Sequence, residues 1–247
     1  MAGGITTVGW RPVGRSWTVV DFILIWMAGF LGAGVFAALA SVAGSSDVTV
    51  VLGLAGQYVG NLGVLWILAR RKDPGELGFS IEGRDLLYLA PGALLQITLA
   101  LLFLPLAQIL FPEGEVPQQV ADALADAGSS TLLKVSLVVA AVVLAPVTEE
   151  LVFRGVLVRA LASRGPRTVI LGTALVFSSI HLLGLDPDRL LASAAVVLPP
   201  IFILGVVLAW ATVRSGRLGP AIFLHSGYNL LAALVLLVPQ EALQNLV

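Results

Sequence analysis

The stretch that decides the fold lies at residues 132–153 and reads LLKVSLVVAAVVLAPVTEELVF. It is long enough to cross the hydrocarbon core of a bilayer, which takes about 20 apolar residues. It nevertheless carries two adjacent carboxylates, Glu149 and Glu150, shortly after Pro146. Because ionisable side chains inside lipid are costly, such a pair indicates a functional site within a membrane segment.

The whole chain has the composition of a polytopic membrane protein. Of its 247 residues, 58% are hydrophobic and only 12% are charged, and its mean hydropathy is +0.98. Soluble domains usually carry about 25% charged residues. The absence of cysteine excludes disulfides, thiolate metal sites and cysteine nucleophiles. We expect a lipid bilayer as its environment and no nucleic-acid partner.

Apolar stretches recur along the chain and predict seven membrane spans. Their approximate bounds are 19–43, 49–69, 87–111, 132–153, 168–185, 191–213 and 219–238. The predicted fold is therefore an all-α, polytopic bundle of transmembrane helices, with residues 1–247 as a single integral membrane domain. The first span exceeds the usual length of a signal core, so we interpret it as a retained anchor. A short surface helix is predicted at residues 117–127 of the longest loop.

The distribution of basic residues predicts the orientation of these spans, because cytoplasmic loops are enriched in Lys and Arg. If the spans alternate, all but two of the 14 Lys and Arg residues fall on one side, and the exceptions are Lys134 and Arg189. The N-terminus is therefore predicted to be cytoplasmic and the C-terminus to lie outside. The basic side holds Arg11, Arg15, Arg70, Arg71, Lys72, Arg84, Arg154, Arg159, Arg164, Arg167, Arg214 and Arg217.

The only two histidines lie in two other spans, each beside further polar groups. His181 ends the sequence FSSIH, which begins at Phe177, and His225 begins HSGYN, which ends at Asn229. At 1.5 Å per helical residue, both histidines and the carboxylates lie about 12–22 Å from the predicted cytoplasmic ends of their helices. If the three helices adjoin, these groups share one cavity that opens to the cytoplasm.

Carboxylate, imidazole and amide groups together can activate water and stabilise an oxyanion, so a hydrolytic site is the first hypothesis. Successive helix residues point about 100° apart, so Glu149 and Glu150 are not expected to face the same spot. Glu150 and Arg154 are four residues apart and can pair, which would leave Glu149 available for chemistry. The alternatives are structural, with the carboxylates as interfacial charges and the imidazoles and amide as hydrogen-bonding groups between helices.

Three ordered motifs resemble a family of intramembrane proteases. They are Glu149-Glu150-x-x-x-Arg154, Phe177-x-x-x-His181 and His225-x-x-x-Asn229. In this order they resemble the CAAX-protease and bacteriocin-processing family, also called the Abi family, which includes the Rce1-type prenyl-protein endopeptidases. The approach to the last motif, RSGRLGP at residues 214–220, is also similar. The resemblance covers about residues 130–238, which would form the catalytic core.

This resemblance implies an intramembrane endopeptidase and a role for each motif residue. Glu149 would be the general base on the attacking water, and His181 would position and polarise that water. His225 and Asn229 would stabilise the tetrahedral oxyanion. The expected substrates are membrane-anchored proteins or peptides.

Two further expectations concern charge pairing and metal use. The resemblance implies that Glu150 is held by Arg154 and supports the site. Zinc remains an open alternative, with Glu149, His181 and His225 as ligands, because catalytic zinc sites use three protein ligands. Since no His-Glu-x-x-His motif occurs, we favour water activation by glutamate and histidine.

Other functional classes remain as alternatives. His181 and His225 could be the axial ligands of a bis-histidine haem protein, which would leave the carboxylates unexplained. An ion-coupled transporter could relay protons through glutamate and histidine, but it would favour an internal repeat that the sequence lacks. The composition suggests a bacterial plasma membrane, where prenylated substrates are doubtful. The sequence leaves the oligomeric state open.

Overall fold

The computed structural model describes residues 17–42, 46–72, 77–112 and 130–237. Seven of the described helices are long and apolar enough to cross a membrane, which confirms the predicted all-α bundle and its number of spans. The surface helix predicted at residues 117–127 lies outside the described residues, as do Arg11 and Arg15. The seven helices are α1 Val19–Ser41, α2 Ser46–Ala69, α3 Leu89–Leu110, α4 Thr131–Ala160, α5 Pro166–Ile180, α6 Leu190–Ser215 and α7 Gly219–Leu237.

Local sequence signals explain where several helices begin and end. The Thr18 hydroxyl accepts from the backbone N–H of Asp21, whose carboxylate accepts from the Thr18 N–H, so a capping box starts α1. Pro166 occupies the first turn of α5, where a residue needs no N–H donor. Gly216 ends α6 in the left-handed region at φ 73°, which glycine adopts without a Cβ penalty.

The second half of α4 lies at the centre of the bundle. Nearly every side chain from Glu150 to Val158 is buried there, including the fully buried Phe153. Phe153 packs edge-to-face on Phe22 of α1, at 5.2 Å between ring centroids, and on Phe177 of α5 at the same separation. Helices α6 and α7 complete the core around this segment with Leu204, Leu208, Ala221 and Leu224.

Helix α4 departs twice from regular α-helical winding. It is π-helical at Ala140–Leu144 and again at Glu150–Leu157, on either side of the short α-helical segment Ala145–Glu149. π-Helical turns inside longer helices are frequent at functional sites. Both paired carboxylates therefore lie at a junction between α and π winding.

Helix ends that were predicted to share a side of the membrane lie together in the structure. On the predicted outer side, Asp47 accepts a hydrogen bond from the backbone N–H of Ser130 at 3.0 Å. On the predicted cytoplasmic side, the backbone N–H of Leu218 donates to the carbonyl of Gly78 at 2.9 Å. The grouping agrees with the predicted alternation of spans, and the cytoplasmic location of the N-terminus stays a prediction.

Candidate active site

The predicted ion pair between Glu150 and Arg154 is present and fully buried. Nη1 of Arg154 donates to Oε1 of Glu150 at 3.1 Å, and neither side chain is exposed. Nη2 of Arg154 donates to the carbonyl of Gly205 on α6 at 3.2 Å. The guanidinium is thus enclosed by the core, and the cytoplasmic side assigned to Arg154 from the charge distribution stays a prediction.

His225 of α7 meets both carboxylates of α4. Its Nδ1 lies 3.0 Å from Oε1 of Glu150, and its Nε2 lies 3.9 Å from Oε2 of Glu149. The two carboxylates were not expected to face the same spot, yet they approach opposite nitrogens of the same imidazole ring. His225 is buried, whereas the Glu149 side chain keeps 21% of its surface exposed. Glu149 is thus the carboxylate of the pair that a ligand can reach.

His181 is oriented by its own helix. Its Nδ1 lies 2.8 Å from the carbonyl oxygen of Phe177, one turn earlier. Because a carbonyl only accepts hydrogen bonds, we assign the proton to Nδ1, and Nε2 of the neutral ring is then an acceptor. The geometry therefore leaves Nε2 of His181 as a ring nitrogen that can accept a hydrogen bond.

The ring of Phe177 connects the two histidines and the arginine. Its centroid lies 5.1 Å from the ring of His181 and 5.7 Å from the ring of His225, both in edge-to-face geometry. The Arg154 guanidinium lies over the same ring at 4.4 Å from its centroid, a cation–π distance. Phe177 is itself fully enclosed, with 1% of its surface exposed. Its contacts restrict the positions of three polar side chains at once.

Asn229 contacts the first π-helical segment of α4. The N–H of Ala145 donates to the carbonyl of Ala140, five residues earlier. The next hydrogen bond of this π-helical series would run from the backbone N–H of residue 146 to the carbonyl of Ala141, but Pro146 has no N–H. Nδ2 of Asn229 donates to the Ala141 carbonyl at 2.8 Å and supplies the donor that proline lacks. The second N–H of the amide remains for another acceptor.

These contacts confirm the predicted adjacency of the three motif-bearing helices. Sequence reasoning did not anticipate the central position of Phe177, although its spacing of one turn from His181 was a signal. It also missed the packing of α2, the helix that carries Tyr58, against the Ala145–Glu149 segment of α4. No motif marks this contact.

Metal binding at the site was an alternative prediction. Within the part of the chain that the structure describes, no three His, Asp or Glu side chains are grouped so that they could hold a metal ion. Zinc ligation by Glu149, His181 and His225 stays a prediction, and we derive no catalytic step through a metal. The nitrogen Nδ1 of each histidine is already engaged by a protein oxygen.

Comparison with known proteins identifies the part of the chain that carries this site. Residues 131–231 match the family model described as type II CAAX prenyl endopeptidase Rce1-like. No curated protein and no solved structure matched the chain. The match covers every motif residue from Glu149 to Asn229 and supports the family that the motif order resembles. This segment, residues 131–231, is similar to the Rce1-like type II CAAX prenyl endopeptidases.

Proposed function

We propose that this protein is an intramembrane endopeptidase that hydrolyses peptide bonds of membrane-anchored proteins or peptides. The observation that carries the proposal is the approach of both α4 carboxylates to one imidazole, Glu150 to Nδ1 at 3.0 Å and Glu149 to Nε2 at 3.9 Å. Its family segment supports a peptidase, and its seven apolar helices support an integral membrane location.

The spacing between Glu149 and His225 suits a shared water molecule. Two atoms 3.9 Å apart can each lie about 2.8 Å from one water oxygen, which is within hydrogen-bond reach of a general base. In this proposal Glu149 accepts the proton of that water as the oxygen attacks the scissile carbonyl. Its partial exposure gives substrate and water access to the carboxylate.

His181 would orient the attacking water from the other side. With its proton on Nδ1 and donated to the Phe177 carbonyl, its Nε2 can accept the second hydrogen of the water. A water held by two acceptors presents an oxygen lone pair to the carbonyl carbon. His181 thus positions and polarises the nucleophile, while Glu149 removes the proton.

His225 and Asn229 would stabilise the oxyanion of the tetrahedral intermediate. A protonated His225 can donate through Nε2 while its Nδ1–H is held by Glu150. Asn229 retains one amide N–H after its bond to Ala141. Donors fixed in advance near a developing negative charge lower the barrier because little reorganisation is needed during the reaction.

The Glu150–Arg154 pair would keep the buried site electrically balanced. In this proposal the positive charge of Arg154 compensates the negative charge of Glu150, to which it is hydrogen-bonded at 3.1 Å. A balanced set of paired charges is less costly to bury than an unpaired ion. Glu150 and Arg154 therefore act in support, by holding His225 and by compensating charge, and they need not touch the substrate.

The substrate class follows from the location of the site in membrane helices. We propose a membrane-anchored peptide that reaches Glu149 from the cytoplasmic side, in a bacterial plasma membrane. Prenylated peptides are one form of such a substrate, and the description of the matched family names them.

A direct test uses purified wild-type protein and the Glu149→Gln variant in detergent or nanodiscs. Each is incubated with peptides of identical sequence that carry a farnesyl anchor, an acyl anchor or no anchor, and products are identified by mass. The proposal expects cleavage of an anchored peptide by the wild type and a strong loss in the variant. Cleavage of equal rate by both proteins would contradict it, as would a haem Soret band in place of any peptidase activity.

A further inference from the structure

The segment between α2 and α3 is fastened to the start of α7, the helix that carries His225 and Asn229. We call residues 77–88 the connector. The backbone N–H of Leu218 donates to the carbonyl of Gly78 at 2.9 Å, and that of Gly219 donates to the carbonyl of Ser80 at 3.2 Å. The first residue of α7 is therefore hydrogen-bonded to the connector.

A bidentate ion pair strengthens this attachment. Nη1 of Arg217 donates to Oδ2 of Asp85 at 2.9 Å, and Nη2 donates to Oδ1 at 3.0 Å. The Asp85 side chain is fully buried, and it also accepts from the backbone N–H of Glu82 at 2.8 Å. Paired hydrogen bonds between a guanidinium and a carboxylate fix direction as well as distance. The bond to Asp85 raises the pKa of Arg217, so the guanidinium stays charged.

The start of α7 packs closely against the connector around the ion pair. A Cβ atom on Gly219 would collide with Oδ2 of Asp85 and would lie 2.8 Å from the carbonyl oxygen of Ser80. Leu77 and Leu218 are both buried, and a Cβ on Gly155 of α4 would touch the two side chains at 3.3 and 3.7 Å. The connector thus contacts α4 and α7 together.

The connector also reaches the backbone beside the buried arginine of the site. Gly78 lies against the guanidinium of Arg159, and Arg159 donates to the backbone carbonyl of Arg154. His225 follows Gly219, the first residue of α7, by six residues, or about 9 Å along the helix. A shift of α7 along its axis would therefore move His225 away from Glu150 by the same amount.

We propose that Asp85 is a positioning residue of the site and that its ion pair with Arg217, the Asp85–Arg217 clamp, sets the axial position of α7. The clamp holds His225 at hydrogen-bond distance from Glu150. The effect of the clamp on activity rests on the proposed function, whereas its effect on the position of His225 does not. Asp85 lies outside the segment matched by the family model, so the clamp assigns a role in the site to the N-terminal part of the chain.

The test uses the fact that the chain has only two histidines. Histidine-selective ¹⁵N labelling gives signals from two imidazoles, assigned with the His181→Gln and His225→Gln variants. We expect Asp85→Asn and Arg217→Gln to shift or broaden the His225 signals and to leave those of His181 unchanged. Arg217→Lys keeps the charge but loses the bidentate geometry, and a smaller change is expected. The double variant should match Arg217→Gln, which removes the ion pair with Asp85 and also the contact of Arg217 with Glu82 at 3.2 Å.

Asp21→Asn is the matched control. Asp21 resembles Asp85 in two ways. Its carboxylate accepts from the backbone N–H three residues earlier, at the N-cap of its helix, and it pairs with a basic residue from a distant segment, Lys72, at 2.6 Å. It fastens α1 to the end of α2 and makes no contact with the connector among the described interactions. Asp21→Asn should therefore leave the His225 signals at their wild-type positions.

Activity gives a second readout. A misplacement of about 1 Å can cost about 10²-fold in rate, so Asp85→Asn should lower kcat by at least about tenfold with KM changed less than about threefold. Unchanged His225 signals in Asp85→Asn, or an equal shift in Asp21→Asn, would overturn the clamp. If Asp85→Asn does not yield folded protein, Arg217→Lys decides by the same criterion. A wild type without peptidase activity would contradict the proposed function, while the histidine spectra would still decide the clamp.

Discussion

Nδ1 of His225 lies 3.0 Å from Oε1 of Glu150, although the two residues are 75 positions apart in the chain. The same carboxylate oxygen accepts from Arg154 at 3.1 Å. Glu150 therefore joins α4, which carries the first motif, to α7, which carries the last. The contact leaves Nε2 of His225 directed to Glu149, and the chemistry that we propose depends on this arrangement.

The two adjacent carboxylates should respond differently to substitution. Glu149→Gln removes the proposed base from a partly exposed position, so kcat should fall by about 10²–10⁴-fold with little loss of stability. Initial rates on an anchored peptide, together with thermal unfolding, check this. Retention of more than a tenth of the wild-type kcat would show that Glu149 is not the base.

Glu150→Gln should destabilise the protein. The change leaves the charge of Arg154 buried without its carboxylate, and breaking a buried pair in this way costs about 3–5 kcal/mol. Thermal unfolding in detergent measures the loss. Arg84→Gln is the control, because Arg84 pairs with Glu82 at an exposed site and should change stability by less than about 0.5 kcal/mol. Equal effects of the two substitutions would contradict the account of the buried pair.

Asn229 should have separable structural and catalytic effects. Asn229→Ala removes the donor to the Ala141 carbonyl and should cost about 1 kcal/mol in stability and about 10²-fold in kcat. Adding Pro146→Ala supplies a backbone N–H near the same carbonyl, so the double variant should regain stability but not activity. Recovery of activity in the double variant would mean that Asn229 acts only through α4.

Close packing between α3 and α7 should be required for activity. A Cβ on Gly227 would collide with the backbone carbonyl of Leu89, so Gly227→Ala should separate the helices and cost about 1–3 kcal/mol. Gly172→Ala in α5 is the control, because no other helix among the described residues comes within 4 Å of the added Cβ. Gly172→Ala should be neutral or slightly stabilising in thermal unfolding. A Gly227→Ala protein as stable and active as the wild type would contradict the observed approach of the helices.

Chelation should not abolish peptidase activity. The described residues contain no group of three side chains that could hold a metal ion, and the Nδ1 atoms of His181 and His225 already contact protein oxygens. Rates measured before and after dialysis against a strong chelator should agree within about twofold. A loss that added zinc restores would instead favour the zinc alternative.

Much of this arrangement was accessible from the sequence because lipid makes polar residues conspicuous. The seven spans follow from apolar runs, and the Glu150–Arg154 pair follows from its spacing of one helical turn. The depth of His181 and His225 along their helices pointed to a common site. These features depend on distances along one helix, which the sequence specifies directly.

The remaining features depend on how different helices approach one another. The contact of His225 with both carboxylates requires the rotation of α4, which its π-helical turns change. The clamp of Asp85 on Arg217 joins segments separated by 132 positions, and no motif links them. The burial of Arg154 also depends on a neighbouring helix, because the carbonyl of Gly205 on α6 accepts its second hydrogen bond.

The most direct test of the central claim is the transfer of water oxygen to product by the purified protein. An anchored peptide is incubated in H₂¹⁸O with the wild type or with Glu149→Gln. The mass of the product that carries the new carboxylate is then measured by mass spectrometry. The account predicts incorporation of one ¹⁸O atom by the wild type and almost no product from Glu149→Gln. Equal amounts of labelled product from both proteins would contradict it.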